Sequence, residues 1–412
     1  MIAKPDSDWT STTIRDLETA GDIELGRGQI ISKKDIEANP GDYPVYSSSA
    51  RGDGEFGRYG MFMFDEELVT WSVDGGGKFF YRPKRKFSIT NVSGFLRIKA
   101  KDKLDAYYTW AHLFSIWQTM TFNYTEKLHP SILRERFSFS YPHITEQRKI
   151  AGVLGLVQRA MEQQERLLTR TTELKKAFLH HLFTHGLRHE PQKPTDLGPI
   201  PKSWDATRLG DVADLINGFA FKSEDYVPDG VLNFRVVNIR EHGVIDTSSD
   251  VEFLPKEFME SHRQYLLSEG DILVVMVGAT RGKMGYVPRS VLPALMNQNM
   301  WRIVPNSPNA IHRRYLYHYL TIAVPKFVRE FSESARGFFK KSDFRTILIP
   351  KPPFDEQREV AEAIDNVEQK MELHRRTHAA LSDVFRTLLH ELMTARIRVH
   401  NLDLPELESA VK

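Results

Sequence analysis

Several short stretches carry residue types that could do chemistry. Residues 52–57, GDGEFG, have the glycine spacing of a dinucleotide-binding turn. That turn needs a strand before it and a helix after it, and FGRYGMFMF does not open a helix. Residues 75–78, GGGK, lack both the earlier glycine and the following hydroxyl residue of a phosphate-binding loop. Residues 351–354, KPPF, have the outline of an amine-methylating motif. Lys351 stands where an Asp, Asn or Ser would accept the target amine's hydrogen bond, so methyl transfer is not expected. His374 and His378, one helical turn apart, offer two metal ligands without a third and read as tolerated seam positions; His180, His181 and His185 are read the same way. No HExxH, GxSxG or metal-nuclease carboxylate cluster is present. We therefore expect no catalytic residue and no metal or cofactor site in this chain.

The basic residues point elsewhere. Between Lys78 and Lys103 the chain carries Lys78, Arg82, Lys84, Arg85, Lys86 and Arg97 among other cations, against the single acid Asp102. Between Arg281 and Arg302 it carries Arg281, Lys283, Arg289 and Arg302 with no acid, and a third cluster includes Arg336, Lys340 and Lys341. With Arg235, Asn238 and Arg240, these are candidates for contact with double-stranded DNA: cations for phosphates, and Asn or Arg for base edges. The net charge of +2 carries no argument by itself.

The elements that must position these residues come in pairs. TEQRKIAGVLGLVQRAM (145–161) and DEQREVAEAIDNVEQKM (355–371) match without a gap at an offset of 210 positions. Apolar residues recur at steps of four and three through both copies: Ile150, Leu154, Val157, Met161, Leu168, Phe178 and Leu182 in the first, Val360, Ile364, Val367, Met371, Leu381, Phe385, Leu388 and Leu392 in the second. This is the rhythm of a helix seam. Neither segment holds proline, and each predicts a helix of roughly 55 Å, with Thr145 or Asp355 as its N-cap. The acids and amides at the start of each copy read as helix start and surface. Such a stripe needs a partner; each copy can supply the other's, although two separate bundles would also satisfy the pattern.

Each predicted helix is preceded by a unit of short strands and helices, one opening at Trp9 and the other at Trp204, with Ile14 and Leu209 at matching distances. ELVTWSVDGGGKFFYRP (67–83) echoes DILVVMVGATRGKMGYVP (271–288), TNVSGFLRI (90–98) echoes MNQNMWRIV (296–304), and both units close on an aromatic-rich helical stretch. Residues 186–203, rich in proline, read as a linker. The plan is an internal duplication of α/β or α+β units: 1–144, helix 145–185, linker 186–203, 204–352, helix 353–400 and tail 401–412. The zero cysteines fit a reducing cytosol, and MIAKPDSDWT has no apolar core of a secretory signal. A cytoplasmic protein without a membrane span is expected.

WDATRLGDVADLINGFAFKSEDY (204–226), LSEGDILVVMVGATRGKMGYVP (267–288), PPFDEQREVAEAID (352–365) and its twin YPHITEQRKIAGVL (141–154) resemble the specificity subunits of Type I restriction-modification systems, over nearly the full length. The resemblance implies two target recognition domains that read the halves of a split, asymmetric DNA site. Two conserved helices would form an antiparallel coiled coil, related by a pseudo-twofold, that fixes the unread gap. It implies a non-catalytic chain that joins two modification (methyltransferase) subunits and then restriction subunits. S-adenosylmethionine, ATP and Mg would be bound by those partners. Gly218-Phe219-Ala220-Phe221 would mark an early loop of the second domain; the first has Gly26-Arg27-Gly28 there and departs from the pattern. From the residues alone, a coiled-coil scaffold that binds other proteins is the alternative.

Overall fold

The structure is a computed structural model and describes residues 8–48, 52–74, 76–120, 127–332 and 340–399. The chain forms two compact α+β units, one comprising Met1–Leu167 with His374–Lys412, the other Leu168–Leu373.

In the first unit a six-stranded sheet runs in the order 23–27, 93–98, 64–72, 79–89, 43–46, 55–59. All neighbours are antiparallel except 43–46, which runs parallel to 79–89. Val69, Trp71 and Leu96 from this sheet pack with Tyr108, Trp110 and Leu113 of the aromatic-rich helix Ala106–Thr119. Asp105 caps that helix by accepting the Tyr108 N–H at 2.8 Å. The core is closed by Ile150 and Leu154 and, from the far end of the chain, by Leu389, Leu392, Met393 and Val399.

The second unit repeats the strand pairing in two smaller sheets. Strands 213–217, 300–305, 272–275 and 284–286 form an antiparallel sheet in that order. Strand 231–234 lies parallel to 294–296, as 43–46 lies parallel to 79–89. The helix Arg313–Ser332 takes the place of Ala106–Thr119. Thr10–Thr13 pairs with Ser138–Tyr141 in one unit, and Asp205–Arg208 pairs with Leu348–Lys351 in the other. Trp9 and Ile14, and Trp204 and Leu209, are buried at equivalent points. The echoed segments 90–98 and 296–304 do pair alike, but with Thr90 equivalent to Asn297, one residue off the register expected from sequence.

The two long helices span Ile144–His185 and Phe354–Met393. They start one residue before the expected caps, so Thr145 and Asp355 lie in the first turn. The second ends at Met393, short of residue 400. Gly186, at φ +66, stops the first. A Cβ there would also meet Glu356 Oε1 and Trp204 Cζ2 at 2.8 Å. Every seam residue named above is buried or half-buried. The linker is partly structured: Gln192–Lys193 pairs with Ile200–Pro201.

The acids and amides at the helix starts are buried, which corrects their reading as surface. Gln147 and Gln357 are 0% and 1% exposed, Glu146 and Glu356 6% and 3%. Gln147 Oε1 accepts the Asp105 N–H at 3.0 Å, while its Nε2 donates to the carbonyls of Lys103 and Pro142 at 2.9 Å. Gln357 repeats this, accepting from His312 N at 2.8 Å and donating to the Pro352 carbonyl at 2.9 Å. Glu146 takes both arms of Arg398 at 2.8 Å; Glu356 accepts from Leu187 N at 3.0 Å and Trp204 Nε1 at 3.1 Å. A buried carboxamide that loses its partners costs about 1–3 kcal/mol for each polar group left unpaired. We therefore expect Gln357→Leu to lower stability by roughly 2–3 kcal/mol, read as a lower denaturant midpoint. An unchanged midpoint would show that these bonds are not structural.

Candidate nucleic-acid interface

The candidate basic residues separate into those turned inward and those left in solvent. Arg82 stands on strand 79–89 and is 3% exposed. Its guanidinium lies 3.5 Å from the Tyr46 ring centroid, and it donates from Nε to Thr70 Oγ1 at 3.0 Å and from an Nη to the Asp53 carbonyl at 2.7 Å. Burial pushes its pKa down to about 9, against the pull of Asp53 and Glu55. Asn238 is fully buried, its Oδ1 accepting Arg235 N at 2.8 Å and its Nδ2 donating to the Asp246 carbonyl at 3.3 Å. Both side chains are engaged inside the fold, apart from the exposed cations. Nothing in the sequence distinguishes Arg82 from its neighbours, because inward and outward strand positions differ only by register.

Others are half-buried and held by acids. Arg97 bridges Glu24 at 2.9 Å and Glu66 at 2.7 Å, and Glu66 first, then Glu24, raises its pKa against the cost of burial. Arg240 bonds Asp246 at 3.0 Å and Asp250 at 3.3 Å. Arg235 donates to the Asp250 carbonyl at 2.6 Å. Arg302 is fixed by the carbonyls of Leu266 and Gln264 and by Asp271. Lys341 donates to the Leu215 carbonyl at 2.7 Å, and Lys78 reaches the Gly52 carbonyl at 3.4 Å beside the Phe80 ring. Burial lowers the pKa of both lysines. Arg281 and Lys283 are half-buried. Arg336 lies outside the described residues.

Of the candidates, those left in solvent are a ridge in the first unit and, in the second, Arg289 and Lys340. Pro83, Lys84, Arg85 and Lys86 are four consecutive exposed residues of one strand. A strand buried on one face would turn every second residue inward. Here the ladder slips between Glu66 and Leu68, and the bulge carries Pro83 and Lys84 out of register. Arg85 lies over Tyr46 and Lys86 over Phe62 and Tyr43, so the cations are seated on rings. The strand pair thus presents a basic ribbon of a kind that can meet a DNA groove or backbone.

The two early loops are equivalent despite their different sequences. Gly28 N donates to Ser93 O and Gln29 N to Ile89 O; Gly218 N donates to Met300 O and Phe219 N to Met296 O. A Cβ on Gly28 would sit 2.2 Å from the Ile89 carbonyl oxygen, and one on Gly218 1.9 Å from that of Asn297. The close backbone approach demands glycine, while the residues after it can vary.

Among the described residues, the histidines singled out in the sequence are not gathered with two further ligands. His374 Nδ1 bonds Gln164 Oε1 at 2.7 Å. His180, His181 and His185 are exposed, the last two stacked. A group the sequence did not suggest brings His318, Asp365 and Glu368 together. Its carboxylates are already engaged: Arg314 bonds Asp365 at 2.6 Å and Glu368 at 2.8 Å, Lys175 bonds Glu368 at 2.6 Å, and His318 Nε2 meets Asp365 at 2.8 Å. Two cations already balance the two acids, so the donor set fits an ion-pair network and not a cation. Burial lowers the pKa of His318 despite Asp365. Among the described residues, no helix is long and apolar enough to cross a membrane.

Comparison with known proteins gives a consistent result. Residues 6–169 and 201–382 match the family model described as the Type I restriction modification DNA specificity domain. The chain is 24% identical over 411 residues to the Type I restriction enzyme MjaVIII specificity subunit of Methanocaldococcus jannaschii, covering 96% of this chain and 94% of that one. It is 25% identical over 346 residues to a putative Type I specificity subunit of Mycoplasma pneumoniae, covering 84% and 86%. In fold it is similar to the crystal structure of a Type I restriction-modification S subunit from M. genitalium, with a TM-score of 0.66 at 18% identity, covering 95% of this chain and 99% of that one.

The division of the cations gives a testable contrast. Changing Lys84, Arg85 and Lys86 together to alanine should leave folding intact. It should reduce the slope of log binding constant against log salt, on duplex DNA, by about 0.9 for each residue that meets a phosphate. Arg82→Ala should instead lower stability by roughly 2–4 kcal/mol, read as a lower unfolding midpoint. A triple variant with an unchanged slope would remove the ribbon from the interface.

Proposed function

Because the chain belongs to the family of Type I restriction modification DNA specificity domains, we propose how its two units divide the reading of a DNA site. It is a sequence-specific DNA-binding specificity subunit. Each unit supplies one target recognition domain, within 1–144 and 204–352, and each reads one half of a split, asymmetric sequence. The repeated fold carries this reading: the same strand pairing, early glycine turn and buried glutamine occur twice. The side chains on the two frames differ, so the halves need not match.

The helices Ile144–His185 and Phe354–Met393, in this reading, form an antiparallel coiled coil with a pseudo-twofold axis and set the gap between the halves. Within the first unit, Glu146 meets Arg398 and Gln164 meets His374. Within the second, Lys175 meets Glu368 and Arg188 meets Glu359 at 2.7 Å. In both, one number falls as the other rises, as antiparallel helices require. Gln164 and His374 are themselves equivalent positions, as expected where a twofold would cross the pair. Ile150, Leu154, Val157, Met161, Leu168, Phe178 and Leu182 would face the second helix or its unit's core, as would their counterparts Val360 through Leu392.

The partners follow from the family: two modification subunits carrying S-adenosylmethionine, and restriction subunits using ATP and Mg. The chain's own part is recognition and placement, without catalysis. The exposed cations among the candidates, Lys84, Arg85, Lys86, Arg289 and Lys340, supply phosphate contact. Helices of 42 and 40 residues are about 60 Å long. Deleting seven residues from the middle of each removes about 10 Å, or about three base pairs at 3.4 Å each. Mapped in the complex with the methyltransferase partner, the unread gap should shorten by about that amount while both half-sequences persist. An assembled complex with the original gap would contradict the ruler.

A further inference from the structure

The connection between strands 55–59 and 64–72 exposes two large apolar side chains, Met61 at 56% and Phe62 at 42%. The connection itself is fixed. Gly60 N donates to the Asn39 carbonyl at 2.8 Å, and Met63 N to the Phe87 carbonyl at 3.0 Å and Ser88 Oγ at 3.2 Å. Phe62 meets Tyr43 edge-on, with centroids 5.2 Å apart. Lys86 Nζ lies 4.7 Å from the Phe62 ring centroid, so the apolar pair adjoins the basic ribbon. Asp65, opposite Lys86 in the ladder, is the acid nearest by register, and the neighbouring Glu66 is engaged by Arg97. A pinned turn that leaves Met and Phe in water gains nothing for folding, and such patches mark interaction surfaces. Beside three exposed cations, the complementary partner is a polyanion with apolar surfaces between its charges. DNA is such a partner, and apolar wedges of Phe, Met, Leu or Ile enter its base steps in proteins that kink it.

We propose that Met61 and Phe62 are an apolar wedge that enters a base step in the half-site read by the first recognition domain, seated by Lys84, Arg85 and Lys86 on the flanking backbone. The proposal rests on the reading of this chain as a DNA specificity subunit. Unstacking is cheapest at TA and CA/TG steps. The wedge would therefore favour such a step without a hydrogen bond to either base. Specificity in this half would then come partly from deformability.

The test uses the full chain, assembled with its methyltransferase partner, on its mapped site. Adenines in the first half are replaced one at a time by 2-aminopurine, and thymines are probed with permanganate. The expected result is one unstacked step, with enhanced fluorescence or reactivity. The change M61S with F62S should abolish it, weaken binding on the order of tenfold and leave the salt slope and the second half's footprint unchanged. Met61→Leu with Phe62→Leu should retain most of the signal. Equal signal and affinity in wild type and the serine variant would overturn the wedge alone. So would no unstacked step in a wild-type complex that binds DNA. Failure of the serine variant to assemble with the methyltransferase in the absence of DNA would assign the patch to a protein contact and also overturn it. A wild-type complex that binds no split site would overturn the specificity reading itself, and the wedge with it.

Discussion

The structure depends on a buried carboxamide at the start of each long helix. A glutamine withdrawn from water must find protein partners for its oxygen and its N–H groups. Gln147 finds them on Lys103, Asp105 and Pro142, and Gln357 on His312 and Pro352. These partners lie just before the aromatic-rich helix of the same unit and just before the long helix itself. The bonds therefore hold three things in one geometry: the strand leaving the unit, the helix packed on its sheet, and the helix that follows. The neighbouring glutamates extend the arrangement. Glu146 fastens the segment after the second long helix, and Glu356 fastens the turn after the first. Each unit is thereby closed by chain from both ends of the duplication, and each contains part of both long helices.

On this shared frame the two copies have exchanged chemistry. In the second unit, Arg314 lies over Tyr286 and Tyr317 and bonds Asp365 and Glu368. At the equivalent place in the first, Tyr81, Tyr107 and Trp110 pack edge to face, Phe385 adjoins Trp110, and the Tyr107 hydroxyl donates to Gln158 at 2.6 Å. One solution is ionic and the other aromatic, yet both bind the same pair of elements. On the outer surface, the same freedom would let the two halves recognise different sequences, as the proposed function requires. A recognition fold that varies its contacts while conserving its frame needs this separation of roles.

Much of this was legible in the sequence. The offset of 210 between the helices, the paired Trp9 and Trp204, and the echo of strands 67–83 in 271–288 all express backbone geometry, which repeats when a chain is duplicated. The inward turn of Arg82, Asn238, Gln147 and Gln357 was not legible, because residue type alone assigns polar groups to the surface. One signal was available: Glu-Gln-Arg persists in both helix starts, while the half-buried Lys149 and Glu359 that follow differ. The equivalence of Gly28 and Gly218 was also hidden. It rests on carbonyl oxygens that a side chain would strike, and those belong to strands far away in sequence.

The central claim is that each unit independently selects one half of the DNA site. It is tested most directly by exchanging residues 8–140 for the corresponding domain of another family member and mapping methylated adenines across the genome of cells that carry the partner methyltransferase. The account predicts that one half-sequence changes to that of the donor, while the other half and the gap stay as they were. Change in both halves, or unchanged methylation after the exchange, would contradict it.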